Sequence, residues 1–505
     1  MPTLTINGKQ VTVPAGTPII RAAAQAGVNI PHFCYHPTLS TPGNCRMCLV
    51  EASDARGLAA SCYHKCTEGA VVNTETPRVK AARQAVLEFI LVNHPVDCPI
   101  CDQAGECKLQ DYYMTHDHKP SRVTTPKNSK SKAKPIGPHV ILDGERCILC
   151  TRCVRFCDEI TGTSELTTEQ RGDHTEITTF PGRELDNAYS MCVTDLCPVG
   201  ALTTRDFRFK TRVWMLASTD SICTGCSRGC NIHLEHHQGE AKRYRPRLNP
   251  EVNEYWMCDE GRLSYQEHNL GRTTSLRVRD QRDIQWPRAA RQTAEALATA
   301  VAGAGGKVAM LTSPQLSCES LLAAREFAAG PLGGATVYVG GKPNGSSDAF
   351  LICADKNPNR AGVVQVFGTA QLANTAYKLL EEMEQGRVKV LYMMRGELPF
   401  DGEGRSRFLS ALAKVDLVVF QAPHGLDLAE RAHIFLPSAT HAEQDGTFVN
   451  ETGYAQAAYA AVPPQGQALA DWDVLSRIAR AAGKPLSFDS FDALHATLAA
   501  TIAAE

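Results

Sequence analysis

HPVDCPICDQAGEC, residues 94–107, gathers one histidine and three cysteines in a short Pro- and Gly-containing stretch, and its reading decides the rest. Pro95, Pro99 and Gly105 bend the chain around a common centre, leaving His94, Cys98, Cys101 and Cys107 as four potential ligands. A lone histidine is ordinarily a surface or core residue, but one beside three cysteines at ligand spacing reads as a ligand. A neutral imidazole in place of a thiolate makes an iron-sulfur cluster less negative and raises its potential. The preceding residues predict a helix from Val79 to Asn93, with Val79, Ala82, Val86 and Ile90 on one face and Pro95 as its stop.

Three more cysteine groups flank this one. Upstream, Cys34, Cys45, Cys48 and Cys62 lie in Pro-, Gly- and Thr-rich loops (HPTLSTPGNCRMC) after the helical stretch IIRAAAQAG. Their C-x10-C-x2-C-x13-C pattern suggests a [2Fe-2S] site, with Gly43 letting backbone approach bridging sulfides; a zinc knuckle is the competing reading. Cys66, four residues beyond Cys62, remains a rival fourth ligand by spacing alone. Downstream, CILCTRCVRFC supplies Cys147, Cys150 and Cys153, and CPVGAL supplies Cys197 before Pro198. In bacterial ferredoxins a cysteine preceding proline completes a cluster begun by a remote C-x2-C-x2-C triplet. The second triplet of a twin-cluster ferredoxin is missing, so one cluster is expected, with Cys157 and Cys192 as buried apolar thiols. The last group, Cys223, Cys226 and Cys230 (CTGCSRGC) with Cys258 (WMCDEGR), suits a cluster or a structural zinc.

The totals agree with metal use. A chain of 505 residues is expected to form several domains. Its 20 cysteines would suit a disulfide framework only in a small secreted protein, and all but Cys318 and Cys353 lie between Cys34 and Cys258. A formal net charge of -2 and 43% hydrophobic residues point to no nucleic acid or polyanionic partner. The start, MPTLTINGKQVTVPAG, reads as a strand pair and not as an export signal, which implies a cytoplasmic location. No run reaches the roughly 18 apolar residues of a spanning helix, so membrane association is expected through partners.

The segments PHFCYHPTLSTPGNCRMCLVE, EFILVNHPVDCPICDQAGECKLQD, CILCTRCVRFCDEI and DLCPVGALT together resemble the large iron-sulfur subunit (the G or 75 kDa type) of respiratory NADH:quinone oxidoreductase, complex I. Residues 217–264 resemble the cluster-binding entry of molybdopterin oxidoreductases, which bacterial members of that family carry. The resemblance implies one [2Fe-2S] cluster at the first group, with Cys62 as its fourth ligand, and [4Fe-4S] clusters at the other three. It also implies that electrons arrive from a flavin- and NADH-binding subunit and run through the [2Fe-2S], the Cys147 group and the His94 group towards quinone. The Cys223 group stands off that path. Other hydrophilic-arm subunits are implied as partners, the membrane arm only indirectly, and the location as the cytoplasmic side of the bacterial inner membrane, peripheral to it.

From Pro287 onward helices alternate with short apolar strands, predicting a mostly parallel α/β sheet. The expected strands are KVAMLT, ATVYVG, KVLYMM, DLVVFQ and HIFLPS, beside helices such as RAARQTAEALATAVAG and TAYKLLEEMEQG. The glycines of GAGGK precede their strand, and neither they nor VGGKPNG match a phosphate-binding loop, so they read as turns and NADH is expected on another subunit. AERAHIFLPSATHAEQDGTFVNETGYAQ resembles the pterin-facing stretch of molybdopterin oxidoreductases, but Thr452 to Tyr454 depart from its usual Gly-Arg ending. A shortened domain without molybdopterin, and a chain without FMN, are therefore expected. Cys318 and Cys353 read as core residues in helix and strand contexts.

The expected fold is multidomain, α+β and α/β. It comprises a [2Fe-2S] ferredoxin-like β-grasp domain (1–78), a helical [4Fe-4S] segment with one histidine and three cysteines (79–120), a basic solvated linker (121–138) and a 4Fe-4S ferredoxin-like domain (139–210). A 4Fe-4S molybdopterin-oxidoreductase-type domain (217–272) and a shortened α/β domain (273–505) follow. The chain is expected to be an electron-transfer subunit with no complete active site of its own. The alternatives are the corresponding subunit of an NAD-linked formate dehydrogenase or hydrogenase, and a zinc-stabilised scaffold.

Overall fold

The computed structural model describes residues 1–117, 119–282 and 284–504, with the side chains of residues 502–504 left aside. The chain forms two units, residues 1–215 and 216–505. The cysteine-rich stretch is therefore divided: the fourth group belongs with the α/β half.

The first unit begins with a five-stranded mixed sheet in the order Lys9–Thr12, Thr3–Ile6, Val71–Asn73, Leu49–Ala52, Leu58–Ala60. Only the pair Thr3–Ile6 and Val71–Asn73 is parallel. Alternation buries Leu4 and Ile6 against Ile19, Ala22 and Ala23 of the helix Ile19–Gln25, which gives the β-grasp its core. The next helix runs Pro77–Leu91, with Pro77 at its first position and Thr76 Oγ1 accepting from the Val79 N–H at 3.2 Å. Its buried stripe is Val79, Arg83 and Leu87, while Val86 and Ile90 are only half-buried. The expected apolar face is thus rotated, because Arg83 is fully buried and its guanidinium bonds Glu75 at 2.9 Å.

The stretch expected as a solvated linker is exposed along most of its length but tied to its own unit. Lys127 donates to the carbonyls of Leu91 and Val92, at 2.6 and 2.9 Å, where the helix leaves its last acceptors unsatisfied. Lys132 sits among Asp97, Asp143 and Glu145, and Lys134–Pro135 pairs with Val140–Leu142. Carboxylates take Arg122 (Glu88) and Lys132, and carbonyls take Lys127 and Lys130. The ferredoxin-like part adds the antiparallel sheet Leu202–Thr204, Val140–Leu142, Lys134–Pro135, the hairpin Leu166–Glu169 with Glu176–Thr179, and the helices Arg152–Glu159 and Cys192–Leu196.

The second unit opens with the antiparallel sheet Ala217–Ile222, Asn231–His237, Glu240–Pro246. Its main sheet has seven strands, five of them parallel in the order Ile434–Pro437, Leu417–Ala422, Val388–Met394, Lys307–Thr312, Thr336–Val339. All five expected strands are present. Period-two alternation sends Val390, Tyr392 and Met394 into one core, and Leu391 and Met393 into the other. Helices Trp286–Ala302, Cys318–Ala329 and Asp471–Ala481 cover the first face, and Ala376–Glu384 with Gly402–Leu412 the second. Burial on both faces explains why these strands are hydrophobic almost throughout. No helix among the described residues is long and apolar enough to cross a membrane.

Candidate cluster sites and the contacts between them

Most of the cysteines of these groups lie in loops at the ends of short elements, with Cys153 in the first turn of the helix Arg152–Glu159 and Cys98 opening a 3-10 turn. In the first group, Cys34 and Cys45 share a thiol hydrogen bond, and so do Cys48 and Cys62. The sharing pushes Cys45 down to about 5 and Cys48 to about 7, with Cys34 and Cys62 raised as the donors. Two pairs of sulfurs side by side is the arrangement a two-iron cluster needs, one pair per iron. Cys66 is buried in the same core as Cys48 and Cys62 but shares no thiol hydrogen bond with them: burial and the Asp54 carboxylate raise its thiol, and its N–H donates to Thr17 O at 2.9 Å.

In the second group, His94, Cys98 and Cys107 line one cavity of about 730 Å³, between the helix Pro77–Leu91, the segment Leu109–Asp117 and the strap 119–127. His94 Nδ1 is buried without a hydrogen-bond partner. Burial pushes the imidazole down to about 4, so at neutral pH it is uncharged with a lone pair to give. An orphaned buried nitrogen is costly unless something takes that pair, and iron would. Cys101 does not line this cavity; its sulfur lies instead against Gly200.

Cys147, Cys150, Cys153 and Cys197 line a small enclosed cavity with Leu142, Ile148, Ile177, Val199 and Leu202. Apolar burial raises all four thiols, Cys147 and Cys197 to about 12. Four thiols so placed stay protonated until a cationic core offsets the cost of the thiolates, so cluster binding here releases protons. Cys157 and Cys192 are buried but lie outside this lining.

Cys223, Cys226, Cys230 and Cys258 line a similar cavity in the second unit. The N–H groups of Gly225 and Gly261 donate to the sulfurs of Cys223 and Cys258, at 3.5 and 3.3 Å. Such N–H to sulfur bonds also occur at Cys34 N to Cys45 Sγ, 3.5 Å, and at Leu149 N to Cys147 Sγ, 3.4 Å. They stabilise negative charge on sulfur and tune an iron-sulfur potential. Cys353 departs from expectation. It sits in a loop, not a strand, and its thiol bonds both Cys226 and, at 3.1 Å, Glu451 Oε1. Nothing in the local sequence marks that contact, which is made entirely by the fold.

The Cys147 and Cys223 quartets each line one cavity, as do His94, Cys98 and Cys107, and the first group is paired through its thiols; no group of three or more His, Cys, Asp or Glu among the described residues forms a site for a single metal ion. The donor set of thiols, one neutral imidazole and backbone N–H groups aimed at sulfur suits iron-sulfur clusters.

Within the first unit the three groups share one apolar core. Cys107 is buried in it with Phe33, Met47, Leu87, Leu109, Val199 and Ala201, and Cys45, Cys147 and Cys197 pack against it. The Cys147 group touches both others. Towards the first group, Asn44 Nδ2 donates to Leu149 O at 3.2 Å, and Arg155 Nη2 donates to Cys34 O at 2.6 Å and Cys150 O at 3.3 Å. Towards the second, Lys108 N donates to Pro198 O at 3.0 Å, and Arg146 holds Asp97 with Nε to Oδ1 at 3.0 Å. Asp97 and Arg146 each immediately precede a cysteine of their group, so this ion pair, buried on the arginine side and half-buried on the aspartate side, joins the two loops at their ligands.

Five family models match. They are a 2Fe-2S iron-sulfur cluster binding domain (residues 1–77), the NADH-ubiquinone oxidoreductase-G iron-sulfur binding region (83–122) and the NADH-quinone oxidoreductase subunit 3 ferredoxin-like domain (137–203). The molybdopterin oxidoreductase Fe4S4 domain (216–269) and molybdopterin oxidoreductase (357–481) follow. The chain thus carries both 2Fe-2S and 4Fe-4S binding domains. It is 39% identical over 333 residues to the G subunit of the NADH-quinone oxidoreductase of Streptomyces coelicolor, covering 65% of this chain and 39% of that one. Against the corresponding G subunit of Rickettsia bellii it is 45% identical over 262 residues, 52% of this chain and 38% of the relative. These matches span about two fifths of the relatives' length. The NADH dehydrogenase [ubiquinone] iron-sulfur protein 1, mitochondrial, of Solanum tuberosum is 30% identical over an alignment of 612 residues, covering 98% of this chain and 82% of that protein. A crystal structure of an NAD+-reducing [NiFe]-hydrogenase in the H2-reduced state aligns at 28% identity and TM-score 0.37, covering 42% of this chain and 90% of that one.

Proposed function

From the premise that this chain belongs to the family of large iron-sulfur subunits of NADH-quinone oxidoreductase (the G or 75 kDa type), we propose that it conducts electrons in such an enzyme, from a flavin- and NADH-binding subunit towards quinone. The clusters supply one-electron transfer; the chain's own residues hold, space and insulate them. Cys34, Cys45, Cys48 and Cys62 hold a [2Fe-2S] cluster, and His94, Cys98, Cys101 and Cys107 a [4Fe-4S] cluster. Cys147, Cys150, Cys153 and Cys197 hold a second [4Fe-4S] cluster, and Cys223, Cys226, Cys230 and Cys258 a third, which serves chiefly as structure.

The observation that carries this reading is the contact of the Cys147 group with both others, with the first through Asn44 and Arg155 and with the second through Pro198 and Arg146. It supports the path [2Fe-2S], Cys147 group, His94 group. Apolar packing around these sites excludes water, and the Arg155 guanidinium holds loops of the first two carriers on the path together. The donor of electrons and the next acceptor are proposed to be other subunits of the hydrophilic arm. Through them the chain would sit at the cytoplasmic face of the bacterial inner membrane.

Cys150→Ala in the assembled enzyme tests the path. NADH-to-quinone turnover should be lost while NADH oxidation by an artificial acceptor at the flavin persists. Survival of both activities would remove the Cys147 group from the route.

A further inference from the structure

The second and third groups meet at a glycine. A Cβ built on Gly200 would stand 2.2 Å from Cys101 Sγ, 3.0 Å from Gln103 Cβ and 3.7 Å from Arg146 Cδ. Gly200 is not among the positive-φ glycines, so an alanine backbone fits there without strain; the Cys101 sulfur is the main obstacle to the side chain, and Gln103 Cβ needs to give by only a few tenths of an ångström. Gly200 closes the turn Cys197-Pro198-Val199-Gly200. The other end of that turn carries Cys197, whose side chain lines the Cys147 cavity. Its middle is bound from the second group's side: Lys108 N reaches Pro198 O at 3.0 Å, and Cys107 Sγ points at the same oxygen at 3.9 Å. One four-residue turn therefore holds a cysteine of the third group and touches two cysteines of the second.

We propose that Gly200 is a positioning residue for electron transfer: its bare α-carbon lets the Cys101 sulfur lie on the Cys197–Gly200 turn, making that backbone the bridge between the two clusters. This rests on the cluster assignment proposed above. A free Cys101 side chain can rotate away from an added methyl group, whereas one bound to iron cannot. An alanine at position 200 should therefore be tolerated by the fold and opposed by the cluster.

The test is Gly200→Ala in the full chain, read by electron paramagnetic resonance, iron content and thermal unfolding, with Leu87→Ala as the packing control. Leu87 is buried in the same apolar core but lines neither cavity. The His94 cluster is identified as the one whose potential changes in His94→Cys. Gly200→Ala should lose that signal, with about four of about fourteen iron atoms, and keep the [2Fe-2S] and Cys147 signals and the melting transition of residues 216–505. Leu87→Ala should lower the melting temperature and keep all three signals. The proposal is overturned if Gly200→Ala keeps the His94 signal and its rate of reduction by the Cys147 cluster. It is equally overturned if all three signals vanish together with the fold. A wild-type chain lacking the His94 signal is a different result, which defeats the cluster assignment itself and this proposal with it.

Discussion

In residues 216–505 the strands Val388–Met394 and Leu417–Ala422 are buried almost throughout and lie between two layers of helices. In residues 1–215 no strand among those described exceeds four residues, and cysteine sulfurs take part in the cores that the strands and helices form. The second unit packs a large apolar cluster on each face of its sheet. The first divides its chain among small elements whose cavities are lined by thiols. It follows that the first unit depends on its metal and the second mainly on its sheet, even though both contain a cysteine quartet.

Iron removal should break this comparison most sharply. On chelation under anaerobic conditions, residues 1–215 should lose protease resistance while a core containing residues 286–481 stays protected, because metal binding energy is folding energy in small metal-built domains. Equal loss of protection in both units would contradict the contrast. A smaller effect in the opposite sense comes from Asp471→Ala. Asp471 is fully buried, pairs with Arg395 Nη2 at 2.6 Å and accepts from Gln421 and Gln444 at 3.0 Å. Its loss leaves a buried guanidinium unpaired, at a cost of about 3–5 kcal/mol to the second unit, and should leave the paramagnetic signals of the first unit unchanged.

Acid should weaken the second unit through His268 and His441. Burial depresses both, His441 to about 3, with Arg395 near both, Arg272 and His424 near His268, and Lys342 near His441. Tyr244 OH bridges their rings. In the unfolded chain each imidazole takes its proton near the ordinary value of about 6.5, in the folded chain only well below it. Stability from this source is complete above about pH 6.5 and is lost progressively as pH falls towards about 3. Denaturant melts of the second unit across that range should show the decline, reduced in His268→Gln. The smallest effect expected is Ser317→Ala. Ser317 Oγ accepts from Ser320 N at 3.2 Å at the start of the helix Cys318–Ala329, so the loss should be about 1 kcal/mol.

What could be read in advance follows the same division. The strands of the second unit were legible because apolar runs bounded by turns announce a buried parallel sheet. Cysteine spacing marked the tight C-x2-C steps, where short loops leave little freedom, but not that the Cys101 sulfur would lie outside the cavity of His94, Cys98 and Cys107. The buried Arg83 was not legible, because a charged residue breaks the 3.6-residue apolar pattern and its partner Glu75 lies outside the helix. The stretch 121–138 has the composition of a linker, and only the carboxylates and carbonyls it crosses reveal why it is tied down. Cys353 meets Cys226 at a separation of 127 positions in the chain, and Gly200 meets Cys101 at a separation of 99. Contacts of that kind belong to the fold and leave no local mark.

The central claim is that residues 1–215 hold three clusters in series, and it is tested most directly on the reduced full chain by electron paramagnetic resonance with iron and zinc quantified. The expected result is a brown protein with about fourteen iron atoms. It should show one [2Fe-2S] and up to three [4Fe-4S] signals, with the cluster at His94 falling in potential on His94→Cys. A colourless protein containing zinc, or an iron protein whose signals ignore His94→Cys, would contradict it.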